Sequence, residues 1–153
     1  MTPFTPLEDL KPHGPLMGLD YGTKTIGLAV SDSDRRIASP LHTIRRTKFT
    51  KDIKELFDLA DRYGVVAFVL GLPLNMDGSS GPRVQATRDF AKNLARHDPR
   101  PIAAWDERWS TVAAERAMIA ADASRATRRA AIDKVAAAII LEGALGFLAN
   151  RAG

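Results

Sequence analysis

The chain has 153 residues, a length that suits one core and leaves little room for a second domain. Apolar residues make up 45% and charged residues 26%, a globular balance that excludes a collagen-like, fibrous or largely disordered chain. The 22 Lys and Arg against 18 Asp and Glu leave a net charge of +4, and the cysteine count of 0 excludes disulfides, thiolate zinc sites and a cysteine nucleophile. The N-terminus has no basic start followed by an apolar stretch. The longest uncharged apolar run, Val135 to Leu141, is far below the roughly 18 residues of a membrane span. A soluble, cytoplasmic protein without membrane contact is expected.

Residues 1–15 carry Pro3, Pro6, Pro12 and Pro15 without apolar periodicity, and are expected to form a flexible or loosely packed arm before a single domain over 16–150. Leu16 to Gly22 and Ile26 to Asp32 read as two short strands joined by a tight hairpin, and Ile37 to Ile44 as a third. From Thr50 the period changes: Ile53, Leu56, Phe57 and Ala60 form the stripe of an amphipathic helix that Gly64 ends. Val65 to Leu70 is a continuous apolar strand emptying into the loop Gly71 to Gly81. Val84, Ala91, Leu94 and Ala95 mark a second helix, and Pro101 to Trp105 a fifth strand. A helix from about Ser110 or Thr111 and a last one from about Ala130 to Ala149 complete the order βββαβαβαα. Three meandering strands followed by βα units imply an α/β domain whose mixed five-stranded sheet is flanked by helices.

Carboxylates at three places fit this frame poorly. Alternation along the first strand sets Gly18 and Asp20 opposite Met17 and Leu19, so Asp20 stands mid-strand in a covered sheet unless it faces an edge or caps a turn. Asp106 and Glu107 end the fifth strand, where ligands collect in parallel sheets, and alternation lets only one of them face such a site. Asp133 has Ala136, Ala137 and Ile140 as its neighbours along the last helix, a small apolar face instead of a solvated one. Separated carboxylates on a strand, a strand end and a helix suit hard divalent cations, and such ions serve phosphodiester hydrolysis.

The segments GLDYGTKTIGLAVSD, VLGLPLNMDGSSGPRVQATRDFAKNL, DERWST and IDKVAAAIIL occur in that order over nearly the whole chain beyond the arm. Together they resemble the YqgF family of pre-16S ribosomal RNA nucleases, also called Holliday junction resolvase-like proteins. The resemblance implies a ribonuclease H-like fold and places the family's catalytic, metal-binding carboxylates on Asp20, Glu107 and Asp133, with Mg²⁺ or Mn²⁺ as the metal. The chain departs from the family pattern at Lys24-Thr25, where Lys-Arg is common, which removes one phosphate contact. It also departs at Trp109 and Ser110, where a smaller apolar residue and Thr are usual; core packing is the expected role of Trp109, against base stacking.

Lys24, Arg83, Arg108 and Arg129 are the expected phosphate contacts, Arg108 first among them because it adjoins Glu107. The basic crowds at Arg35, Arg36, Arg45, Arg46, Lys48 and Lys51, and at Arg125, Arg128, Arg129 and Lys134, read as solvated faces. His13, His42 and His97 lack ligand spacing. The expected activity is metal-dependent hydrolysis at the 5′ end of precursor 16S ribosomal RNA, with the ribosomal particle as context and the chain a monomer or weak dimer. A DNA junction resolvase and a non-catalytic nucleic-acid-binding factor are the alternatives.

Overall fold

The computed structural model describes residues 2–109 and 125–152. Strands β1 (Leu16–Tyr21), β2 (Thr25–Ser31) and β3 (Ala38–Arg45) form an antiparallel meander. Helix α1 (Phe49–Arg62), strand β4 (Ala67–Leu72), helix α2 (Pro82–His97), strand β5 (Ile102–Asp106) and helix α3 (Arg125–Ala152) follow. The sheet runs β3-β2-β1-β4-β5, with β4 parallel to both β1 and β5. The mixed five-stranded sheet expected from the sequence is therefore present. The helix expected from Ser110 or Thr111 lies outside the described residues. No helix among the described residues is long and apolar enough to cross a membrane.

Alternation along the central strands divides the core in two. Met17, Leu19, Phe68 and Leu70 face Ile53, Leu56 and Ala60 of α1 and Phe90, Ala91 and Leu94 of α2. Leu16, Ala29, Val69 and Trp105 face Ala136, Ala137, Ile140 and Leu141 of α3. Each fully buried leucine of this kind contributes about 1.5–3 kcal/mol relative to exposure, so both faces of the sheet are firmly covered. Strand β4 begins two residues later than the apolar run suggests, because Ala67 pairs with Leu16 and Leu72 with Asp106. The shift carries Gly71 into the sheet.

The N-terminal segment departs from the loose arm expected of it. Leu7 and Leu10 are buried against the α3 side, in and just after a short 3-10 turn at Leu7–Asp9. Backbone bonds from Thr5 N–H to Ile102 carbonyl (2.8 Å) and from Val66 N–H to Pro15 carbonyl (2.9 Å) tie the segment down. Aperiodic proline-rich sequence hides such packing, since two isolated leucines suffice to anchor it.

Helix α3 lies unusually close to the sheet because glycines face it. A methyl group added at Gly27 would stand 2.0 Å from the Asp133 carbonyl oxygen, and one at Gly18 would stand 2.6 Å from that of Ala137. At Gly146, near the far end of α3, an added methyl meets nothing within 4 Å. Gly27→Ala is therefore expected to cost about 1–3 kcal/mol by overpacking, whereas Gly146→Ala is neutral or stabilises by up to about 1 kcal/mol through helix propensity. Urea denaturation of the two variants checks the contrast; equal stabilities would refute it.

Candidate active site

Asp20 is the last residue but one of β1, at its carboxyl end, and is buried, with 6% of its surface exposed. It pairs in register with Gly27 on one side, and the Leu19 to Leu70 pairing sets Gly71 alongside it on the other. Each glycine makes room for a second acidic residue. The Asp133 backbone lies over Gly27, and Glu107 Oε2 lies 3.0 Å from where a Gly71 methyl would be. Asp20, Glu107 and Asp133 thus surround one cavity of about 460 Å³, whose rim carries Lys24, Thr25 and Arg83.

Strand alternation separates the two acidic candidates at the end of β5. Trp105 packs toward α3, Asp106 turns to the opposite face, and Glu107 returns to the α3 side in the short 3-10 turn Glu107–Trp109. Asp106 is taken up by Arg108, whose Nε stands 3.0 Å from both carboxylate oxygens and whose backbone N–H donates at 2.9 Å. Those bonds hold the Asp106 carboxyl below its ordinary range against the opposing effect of burial. Arg108 Nη1 also reaches across to the loop at Met76 and Gly78, 3.2 Å from the methyl position of Gly78, whose φ of +88° suits glycine. Arg108, the first-ranked phosphate contact by sequence, does not line the acidic cavity: adjacency to Glu107 along the chain places it on the other face.

Arg83 lines the cavity, yet its Nη2 donates to the Tyr21 carbonyl at 2.6 Å. Lys24 stands exposed on the rim, and Arg129 falls in α3 with its side chain outside the description. Thr25, the departure from the family's arginine, donates its hydroxyl to Asp133 Oδ2. Trp109 is 64% exposed, not part of the core; it meets buried Trp105 edge-on at 5.0 Å and lines a separate apolar depression with Phe4 and Phe147. Arg46 escaped the sequence reading as a site residue. Its Nη1 donates to the carbonyls of Gly22 (2.7 Å) and Thr23 (3.0 Å), and its guanidinium lies 4.5 Å over the Tyr21 ring. The signal was its place directly after β3, opposite the hairpin turn.

The acids of the cavity offer oxygen ligands and no histidine lines it, which suits a hard divalent cation. Among the described residues no three acidic or histidine side chains are gathered closely enough to ligate one ion as they stand. A larger hollow of about 800 Å³ lies at the opposite end of α3, where Glu8, Asp34 and Glu142 stand among Arg35, Arg36 and Arg151.

A mixed sheet in this order, with a helix across one face and acids at the strand ends, defines the ribonuclease H-like class. Among solved structures, the chain is similar to Thermus thermophilus RuvC in complex with a Holliday junction substrate: TM-score 0.55, 16% identity, covering 92% of this chain and 97% of that one. It is also similar to the yeast mitochondrial Holliday junction resolvase Ydc2, with a TM-score of 0.50 and 11% identity over 94% of this chain and 83% of that one. The chain belongs to the RuvX family, described as Holliday junction resolvase, whose model matches residues 14–146. This is the family that the four motifs resemble. A protein of Beijerinckia indica named "Putative pre-16S rRNA nuclease" is 61% identical over 97% of this chain and 92% of its own length. One from Rhodopseudomonas palustris with the same name is 55% identical over 99% and 98%.

The Asp106 carboxyl predicts a pH effect. Its folded value is depressed, so its contribution to stability is full above the unfolded value near pH 4 and is lost as the pH falls through the folded one. Arg108→Ala removes the largest cause of that depression, and acid-unfolding curves followed by circular dichroism are expected to move to higher pH. An unmoved midpoint would contradict the assignment.

Proposed function

We propose that the chain is a metal-dependent endonuclease that trims the 5′ end of precursor 16S ribosomal RNA in the cytoplasm, with the ribosomal particle as its context. The observation that carries this reading is the convergence of Asp20, Glu107 and Asp133, from three different elements, on one cavity with a basic rim. The names of relatives at 55–61% identity over nearly the full chain support the choice of RNA.

In this reading Asp20, Glu107 and Asp133 hold Mg²⁺ or Mn²⁺. The bound cation supplies Lewis acidity toward water and the scissile phosphate. The protein's own groups do the rest. Thr25 orients the Asp133 carboxylate through its hydroxyl, and the stapled hairpin keeps Asp20 and Lys24 in fixed relation. Lys24 and Arg83 on the rim attract and position phosphates, with Arg129 of α3 added to that set. Arg108 acts at a distance, by holding the loop at Met76 and Gly78 to the end of β5. The reading takes the chain as a monomer or weak dimer. A DNA junction resolvase is the second reading, favoured by the description of the family.

Asp20→Asn, Glu107→Gln and Asp133→Asn are each expected to lower Mn²⁺-dependent cutting of a 5′-extended ribosomal RNA fragment by more than the roughly 10–100-fold typical of outer-shell changes. EDTA abolishes it in the unaltered protein. Thermal stability of the apoprotein holds or rises in these variants, because neutralising one acid relieves repulsion among the three. Cutting of a four-way DNA junction alone would favour the second reading, binding without cutting would make the chain a non-catalytic factor, and full activity of Asp20→Asn would sink the metal site.

A further inference from the structure

The basic run Arg45, Arg46, Lys48 and Lys51 reads in the sequence as a solvated face, yet the fold joins it to the acidic cavity. Arg45 pairs in register with Thr25, and the Arg46 N–H donates to the Lys24 carbonyl at 2.9 Å. Lys24 itself lines the cavity. Beyond Arg46 the chain enters α1, whose first residue, Phe49, meets Phe90 edge-on at 6.3 Å; Phe90 in turn stacks on Tyr21 at 4.2 Å. The start of α1 is therefore locked beside the hairpin, and four exposed cations, Lys24, Arg45, Lys48 and Lys51, follow one another from the hairpin turn to the start of α1, where Lys51 also lines a hollow with Lys54, Glu55 and Asp58.

The electrostatics of this row are unusual for a merely solvated face. Elsewhere on α1, Lys54 is paired with Asp58 at 2.9 Å, as surface lysines commonly are. Among the described residues, Lys24, Arg45, Lys48 and Lys51 have no carboxylate within 4.0 Å. The nearest acid along the chain, Asp52, is buried and turned to Thr47, accepting its N–H and its hydroxyl at 3.1 Å. Lys48 immediately precedes α1 and Lys51 lies in its first turn, where the helix dipole disfavours cations. Four charges with no carboxylate partner among the described residues, two of them set against a helix dipole, make a surface that gains from a polyanion.

We propose that this row is a track for the phosphodiester backbone of the nucleic-acid strand that flanks the scissile phosphate, leaving the cavity over the hairpin and along the start of α1. The proposal rests on the nuclease reading and adds the path of the substrate to it. Lysines serve as point charges for phosphates without reading bases, so the track sets register and affinity, not sequence preference. Arg46 anchors the row through its bonds to the turn, while Lys24, Arg45, Lys48 and Lys51 supply the contacts.

The test is the salt dependence of binding by the full chain to a 5′-extended ribosomal RNA fragment and to a four-way DNA junction. For Lys48→Gln/Lys51→Gln, the slope of log affinity against log salt is expected to be shallower than in the unaltered protein by about 1.4 on single-stranded RNA or about 1.8 on duplex arms. KM for cutting rises with it. Lys54→Gln, whose charge is already paired, leaves the slope where it was. All three substituted positions are exposed, and unchanged thermal melting verifies the fold. A slope change of about 1.4 on the RNA with none on the junction identifies the strand as RNA, and one of about 1.8 on the junction with none on the RNA identifies it as DNA. If the protein binds and cuts while the double variant keeps its slope, or if Lys54→Gln loses as much, the track is wrong and the active site stands. If the unaltered protein binds neither nucleic acid, the nuclease reading falls and takes the track with it.

Discussion

The close seat of α3 on the sheet is the constraint on which the rest of this structure depends. Helices normally pack on sheets through side chains on both surfaces. Here Gly18, Gly27 and Gly71 remove those side chains from the sheet where Asp133, Ala137 and Ile140 come down, and small residues on the helix complete the approach. Two of these glycines flank Asp20, so the vacancies that admit the helix backbone and the Glu107 carboxylate also fix where the acids meet. Packing and chemistry share the same positions. A substitution there is felt twice, once as lost stability and once as a displaced carboxylate.

Acids placed around one cavity disfavour one another's charge in the absence of a cation, and bonds in the neighbouring elements hold that cavity's walls together. The hairpin between β1 and β2 borders that cavity. It is stapled by Arg46 on two carbonyls of the turn and by Arg83 on the Tyr21 carbonyl, with Tyr21 itself stacked on Phe90. Asp106 is excluded from the cluster by strand alternation and is neutralised by Arg108, which spends that guanidinium on holding a loop. The basic groups near the site thus divide into those that build it and those that face solvent, a division that bears directly on which of them meet a phosphate.

Much of this was legible in the sequence, for identifiable reasons. The period change at Thr50, the β-branched run at Val65 and the apolar stripe of the last helix are local patterns, and they mark α1, β4 and α3. Asp20 and Asp133 stood out because each broke a local rule of burial, Asp106 and Glu107 because they end a strand where ligands collect, and the family resemblance chose Glu107 of the two. What local pattern hides is pairing across the sheet. Register with Leu16 and Asp106 moves β4 two residues on, and register with Thr25 brings Arg45 and Arg46 to the hairpin. Alternation past the end of β5 decides between Asp106 and Glu107 and turns Arg108 away from the cavity, something that proximity along the chain misrepresents. Leu7 and Leu10 lie in an aperiodic stretch and find their places only because α3 and the sheet leave a site for them.

The central claim is that Asp20, Glu107 and Asp133 close on a divalent cation. Crystals of the protein soaked in Mn²⁺ and measured at the manganese absorption edge test it most directly. The account predicts an anomalous peak inside the cavity, bonded to carboxylate oxygens of those three residues at about 2.1 Å. A cavity without manganese at saturating concentration, or a peak held by other residues, would contradict it.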